Sequence, residues 1–427
     1  MADITGQEFI NVNDDCIKVK EKGISVTTCA LFIVATMAGS GILAIPKALS
    51  ESGWTGIVLL ILGCCMSLYC GIILGQCWML TTRTLESSRQ HIRDPYPEIG
   101  KYAAGKLGKR IVEICVLVTL VGVCTVFLLL SANQISSIVN GNIGTLTQKN
   151  EFRVFVLICG LVLLPFTWLN SPKEIWQFAL AASLCTIIAC IFIIIRTSMY
   201  LYEKGIAPDD TRTTETFESF FSAFGTIAFA FGGATVFPTF QTDMKFPDKF
   251  PLAAIWAFIA VLFMYIPVAV LPYLAFGSKV DGNILKTLKN QIGNGKFMIT
   301  ISEVVITLHL LFTFVITINP ISRQLEKYFK TENNFGRTRV ILRSSIVFFI
   351  IGISEAVPHF EVILSIVGGT TVTMTSFILP CYFYWILKKN IPFYVKILLL
   401  EIVLVAVISG GSSTYTACTQ LTNPFAS

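Results

Sequence analysis

Two short glycine clusters carry the residues best suited to chemistry in this chain. The first is Ala38-Gly39-Ser40-Gly41, with Pro46 five positions after its last glycine; the second is Phe231-Gly232-Gly233, with Pro238 at the same distance. Each lies inside a long apolar stretch that otherwise reads as helix, where glycine costs helix stability. A helix interrupted there exposes peptide groups with no partner in their own helix. The N–H groups that start the second half of the first stretch, from Ser40, Gly41, Ile42 and Leu43, sit at the positive end of a helix dipole and attract a carboxylate. The carbonyls that end its first half, near Thr36 and Met37, and those of Phe229 to Phe231, accept from an ammonium. Gly39, Gly41, Gly232 and Gly233 leave the backbone open to approach. Two such breaks together can hold a zwitterion without any charged side chain. Close packing of helices is the competing use of glycine and serine in a membrane, and the matched spacing of the two clusters favours a site.

The elements that must position these groups are helices in lipid. Lys, Arg, Asp and Glu make up 14% of the 427 residues, against roughly 25% in soluble domains. Hydrophobic residues reach 54%, with 33 Phe, and the mean hydropathy is +0.72. One globular core cannot hide that much apolar surface, so the bilayer is the solvent. Stretches of about 20 residues, enough to cross it, lie at 24–46, 52–82, 114–148, 154–172, 175–195, 219–242, 250–278, 304–322, 340–357, 362–387 and 402–427. Only 340–357 contains formal charges, Arg343 and Glu355, near its ends. The expected fold class is all-α integral membrane, with 11 transmembrane helices.

The first glycine cluster falls in span 1 and the second in span 6. An odd number of crossings separates them, so the two broken spans enter from opposite sides. Paired discontinuous helices of inverted topology are the architecture of secondary transporters that bind their solute at the bilayer midplane. The expected organisation is an inverted repeat of five plus five helices with one helix added. Residues 1–22 form a cytoplasmic tail, 23–202 the first repeat, 203–389 the second, and 390–427 the eleventh helix with a short external tail. Most of the 32 Lys and Arg then lie on the side of the amino terminus, which the positive-inside rule makes cytoplasmic. The tail is polar and offers no cleavable signal, so span 1 is expected to direct insertion. Tyr96-Pro97-Glu98-Ile99 matches a tyrosine-type sorting signal at four loose positions; a structured loop ending in a basic helix explains it as well. The 13 Cys lie in apolar runs without the spacing of a zinc site or a disulfide framework. Three His are too few for a histidine-rich di-iron membrane oxidase.

The run Thr36-Met37-Ala38-Gly39-Ser40-Gly41-Ile42-Leu43-Ala44-Ile45-Pro46, with Ser52-Gly53-Trp54, resembles the opening signature of the amino acid/auxin permeases. Tyr96-Pro97-Glu98-Ile99-Gly100, Phe229-Ala230-Phe231-Gly232-Gly233 with Phe237-Pro238, Gln241-Thr242-Asp243-Met244-Lys245 and Asn319-Pro320-Ile321-Ser322 resemble later segments of that family. The resemblance implies eleven helices, a leucine-transporter-like core, and amino acid transport driven by protons or sodium. Sodium-coupled animal members typically carry Asn four residues before the first motif glycine, where this chain has Ala35. That departure tilts the coupling ion toward the proton.

Candidates for the substrate side chain's surroundings are Thr125, Phe127, Phe229, Phe231 and Ala234. No fixed charge falls among them, so small or neutral amino acids are expected. His309, central in span 8, can exchange a proton near neutral pH or stay neutral and bonded across helices; Thr313 offers a hydroxyl beside it. The expected partners are a free amino acid and the lipid bilayer, with no nucleic acid, no cofactor beyond the coupling proton or sodium, and an open oligomeric state. The location is multi-pass, in the plasma membrane or a lysosomal or vesicular membrane. A channel would need a continuous polar stripe, which no span shows. An intramembrane hydrolase built on Ser354 and His359 lacks an evident oxyanion arrangement, so no enzyme activity is expected. An amino-acid-sensing receptor on a transporter scaffold would use the same site.

Overall fold

The computed structural model describes residues 9–12, 15–18, 23–85, 94–140, 148–168, 172–208, 217–292, 296–329 and 336–422. Strands β1 (Phe9–Val12) and β2 (Asp15–Lys18) pair antiparallel, with Ile10 opposite Ile17; the rest of the tail 1–22 lies outside the described residues. From there on the chain is helical. Span 1 is α1 (Val26–Met37) and α2 (Gly41–Ser52), bent by 60° at the glycine cluster. Next come α3 (Thr55–Leu85), α4 (Pro95–Asn140), α5 (Gln148–Thr167) and α6 (Pro172–Lys204). The second break separates α7 (Phe217–Ala230) from α8 (Phe237–Asp243). Then follow α9 (Phe250–Phe276), the short α10 (Ile284–Gln291), α11 (Lys296–Tyr328) and α12 (Arg337–Ala356). The last two stretches are α13 (Phe360–Val367), joined through two π-helical segments to α14 (Leu379–Leu387), and α15 (Phe393–Thr422).

Among the described residues seven helices are long and apolar enough to cross a membrane, and the bent pair α1–α2 makes eight. The three other expected crossings coincide with α5, with α7–α8 and with α12. The first two are short as apolar helices, and α12 carries Arg337, Arg339, Arg343 and Glu355. Val58, Leu62, Leu161, Leu184, Ile259, Phe263 and Leu404 are exposed on the outer faces, as side chains solvated by lipid would be. The core is a single cluster running through the bundle and includes Ile42, Phe231, Tyr265 and Phe314.

Neither of the two spaced prolines ends its broken helix. Pro46 lies inside α2, which continues to Ser52, and Pro238 stands in the first turn of α8. At the start of a helix a proline is tolerated because its missing N–H is one of the unpaired groups there anyway. α4 bends at Ala104–Gly105, where Gly105 has φ 65°, a backbone region that favours glycine. The arm before the bend is held by Glu98, which pairs with Lys101 at 3.3 Å and Lys109 at 2.5 Å. Tyr96 is buried, donates its hydroxyl to the Thr375 carbonyl at 2.5 Å and meets Phe383 edge-on. The Tyr96–Ile99 segment is therefore part of a packed helix.

Candidate functional site

The two breaks form for local reasons and then meet. At the end of α1 the Ala38 N–H still reaches the Val34 carbonyl, but the Gly39 N–H turns back to Met37 at 2.8 Å and the helical ladder stops. At the end of α7 the Gly232 N–H turns back to Phe229 at 2.9 Å. A Cβ on Gly41 would lie 2.7 Å from the Cα of Ala230, and one on Gly233 would lie 3.1 Å from the Cγ of Met37. Only glycine allows backbones this close. The hydroxyl of Tyr265, on α9, reaches the Met37 carbonyl at 2.8 Å and the Ala230 carbonyl at 2.9 Å. Ser67, on α3, donates to the Phe231 carbonyl at 3.0 Å.

A cavity of about 270 Å³ lies between the breaks, walled on its other sides by α4, α6 and α11. Of the residues expected to bind substrate or ion, Thr36, Met37, Gly39, Ser40, Gly41, Phe127, Phe229, Gly232, Gly233 and Thr313 line it. The other six lie off it. Ile42 and Leu43 are buried, with their N–H groups turned to the Gly39 and Ser40 carbonyls, both at 3.2 Å. Thr125 donates to Val121 within its own helix. Phe231 packs against Tyr265 and Phe258, with ring centroids 5.3 and 6.3 Å away. Ala234 is buried inside the second break.

His309 stands behind the wall. Its Nδ1 is 2.8 Å from the Ala182 carbonyl and 2.8 Å from Thr186 Oγ1. A carbonyl only accepts, so the network assigns the proton of the neutral ring to Nδ1 and leaves Nε2 as an acceptor. Nε2 faces the first break, 3.3 Å from where a Gly39 Cβ would be and 3.4 Å from Thr313 Oγ1.

The lining also includes Thr119, Val123, Thr235, Thr239, Ile316 and Thr317, none of them anticipated. A helical face repeats every three or four residues. Stepping back from Phe127 by four and eight would have led to Val123 and Thr119, and stepping forward from Thr313 to Ile316 and Thr317. Thr125, two residues from Phe127, faces away. The threonines after Gly368-Gly369 bond back to their own helix, as Thr370 does to Ile366 and Thr373 to Gly368. There the chain adopts π-helical turns, and only Val372 reaches the cavity.

The chemistry available in the cavity is that of bare peptide groups. Among the described residues the N–H groups of Ser40 and Gly41 donate to no protein acceptor, and Ser40 Oγ is buried without a partner. These three donors open the 12-residue helix α2, where its dipole is positive. Opposite them, the Ala35 and Thr36 carbonyls at the end of α1 receive no backbone N–H. The one formally charged lining residue among those described is Asp243. It is exposed, like Thr239, at the mouth on the side where α1 begins. On that side the Ile24 N–H donates to the Asp243 carbonyl and the Lys245 N–H to Ile24, each at 2.9 Å. On the far side Ser50 donates to the Gly277 carbonyl at 2.9 Å, and Trp54 meets Tyr273 edge-on. Ser354, considered as a nucleophile, donates its hydroxyl to Ile350 in its own helix.

Residues 22–417 match the family described as transmembrane amino acid transporter protein. The chain is 26% identical over 394 residues to the amino acid transporter AVT1D of Arabidopsis thaliana, covering 91% of this chain and 68% of that one. It is 29% identical over 373 residues to lysine histidine transporter-like 3 of the same plant, covering 83% and 80%. Among solved structures it is similar to MhsT in complex with L-phenylalanine, with a TM-score of 0.65 at 12% identity, covering 93% of this chain and 100% of that one. At that identity the likeness speaks for the fold, which is leucine-transporter-like. Fold, apolar helices and family match agree: the chain is a multi-pass integral membrane protein and belongs to the transmembrane amino acid transporter family.

Proposed function

We propose that this protein is a proton-coupled symporter of neutral amino acids, working by alternating access across eleven transmembrane helices with its amino terminus in the cytoplasm. The observation that carries this reading is the set of unpartnered donors, Ser40 N–H, Gly41 N–H and Ser40 Oγ, opposite the open carbonyls of Ala35 and Thr36. That set matches a carboxylate and an ammonium on one α-carbon. At about 270 Å³ the cavity falls just below the ~300–1,000 Å³ of pockets for drug-sized ligands, which suits a free amino acid. Its side-chain region, between Phe127, Phe229, Val372 and Ile316, is uncharged, which supports a neutral substrate. With the mouth beside Asp243 on the side where α1 begins, the conformation is inward-facing in the proposed orientation.

The proton acceptor in this reading is Nε2 of His309. It faces the first break through Gly39 and lies beside Thr313, so a proton there changes the charge directly behind the substrate. The reading predicts that purified protein in liposomes takes up neutral amino acids faster under an inward proton gradient, with or without sodium. Uptake that demands sodium at constant pH refutes the coupling, and no amino acid uptake under any gradient refutes the transport.

A further inference from the structure

The two broken helices end facing one another. Met37 is the last residue of α1 and Ala230 the last of α7, so both carbonyls stand at the negative ends of helix dipoles. Both are buried in the core. Two acceptors converging at low dielectric repel unless something positive lies between them, and broken-helix transporters commonly put a coupling cation against such carbonyls. In this protein the group between them is the Tyr265 hydroxyl, 2.8 Å from one carbonyl and 2.9 Å from the other. Its single proton is shared by two acceptors at nearly equal distance. The ring is fully buried and braced by Phe231, whose centroid is 5.3 Å away, so the hydroxyl cannot swing aside without disturbing the second break.

We propose that the Tyr265 hydroxyl occupies the place between the two breaks that a sodium ion would otherwise hold, so that the substrate chamber is assembled without sodium. Tyr265 is thus a positioning residue. By tying Met37 to Ala230 it keeps Gly41 against Ala230 and aims the Ser40 and Gly41 N–H groups at the cavity. The inference deepens the proposed function and rests on it for what the chamber binds, but the tie itself can be tested without any amino acid.

Removing the hydroxyl while keeping the ring leaves the Ala230 carbonyl unpaired and the Met37 carbonyl with only the Gly39 N–H at 2.8 Å, beside a chamber that Met37 lines, so water and a monovalent cation can reach them. The test compares full-length wild type with Tyr265→Phe, and with Tyr265→Met as a second hydroxyl-free variant. Melting is followed in sodium, potassium and choline chloride at equal ionic strength, with sodium itself as the probe. Wild type should melt at the same temperature in all three. The variants should melt earlier in potassium and choline and recover in sodium, with a saturable dependence on its concentration. A hydroxyl with a merely structural role would give variants destabilised equally in every salt. That result overturns the proposal, as do wild type stabilised by sodium and variants that fold in none of the salts. In liposomes, Tyr265→Phe should lose about tenfold in apparent substrate affinity without sodium, as expected for one unpaired buried acceptor, and regain it with sodium. Absence of uptake by wild type would refute the transport reading and leave the melting comparison intact.

Discussion

Replacing Gly41 with alanine tests the meeting of the two breaks most directly. The added carbon would lie 2.7 Å from both the Cα and the Cβ of Ala230, whereas carbon atoms in contact rest at about 3.5–4.0 Å. The breaks must therefore part by about 1 Å, at a cost of roughly 1–3 kcal/mol for an overpacked core. That cost leaves the protein folded and inserted. The effect on function is larger, because the same displacement carries the Ser40 and Gly41 N–H groups beyond the ~3.2 Å reach of a hydrogen bond. Two hydrogen bonds to a charged carboxylate are worth roughly 1.5–3 kcal/mol each, so uptake at low substrate should fall at least about 100-fold. The assay is initial uptake into liposomes, normalised to protein that elutes as a single species. The matched control is Gly352→Ala on α12, where an added Cβ meets nothing within 4 Å. There alanine should leave uptake unchanged and help the helix by up to ~1 kcal/mol. If Gly41→Ala transports within twofold of wild type, the two breaks do not form the substrate site.

Three further outcomes separate the residues that line the cavity from those that do not. Thr119→Val, which removes a hydroxyl from the lining, should change KM several-fold. Thr125→Val should not, because Thr125 lies off the cavity, although both hydroxyls bond back to their own helix, to Cys115 and Val121; equal effects in the two variants would show that the wrong face of α4 has been assigned. His309→Gln should bind substrate in equilibrium assays but lose stimulation by a proton gradient, and persistence of that stimulation would remove His309 from the coupling. Lys289→Met should lower the melting temperature. Glu303, buried to 1% exposure, would keep its 2.7 Å bond from Ser137 but lose the ammonium 3.8 Å away. The loss should be roughly 1–3 kcal/mol, less than the 3–5 of a fully buried pair, because Lys289 is itself 31% exposed. Unchanged melting would mean that the carboxyl is not held by this pair.

Several features were legible in the chain because their causes are local. A glycine cluster weakens the helix that contains it wherever that helix is placed, so Gly39, Gly41, Gly232 and Gly233 mark the breaks without any knowledge of neighbours. The opposed entry of the two broken spans follows from counting apolar stretches, since a bilayer demands a fixed length of helix. The number of crossings was less secure where helices are short or charged at their ends, as in α5, α7 and α12. Phe127 was rightly placed on the cavity and Thr125 wrongly, although the period of 3.6 could have told them apart.

Other features depend on tertiary contacts and leave no trace in the order of residues. Tyr265 stands 228 residues from Met37 and 35 from Ala230, and nothing around it distinguishes it from other tyrosines in apolar helices. Only the folded arrangement places its hydroxyl between two opposed carbonyls. Likewise the Ile42 and Leu43 N–H groups look as free as those of Ser40 and Gly41 until the turn at Gly39 hands them acceptors. The amino-acid order by itself determined where the helices must fail, because helix stability is a property of consecutive residues. Which of the exposed peptide groups stay open for a ligand was decided by packing, because a buried hydrogen-bonding group is claimed by whichever partner the fold brings within 3 Å.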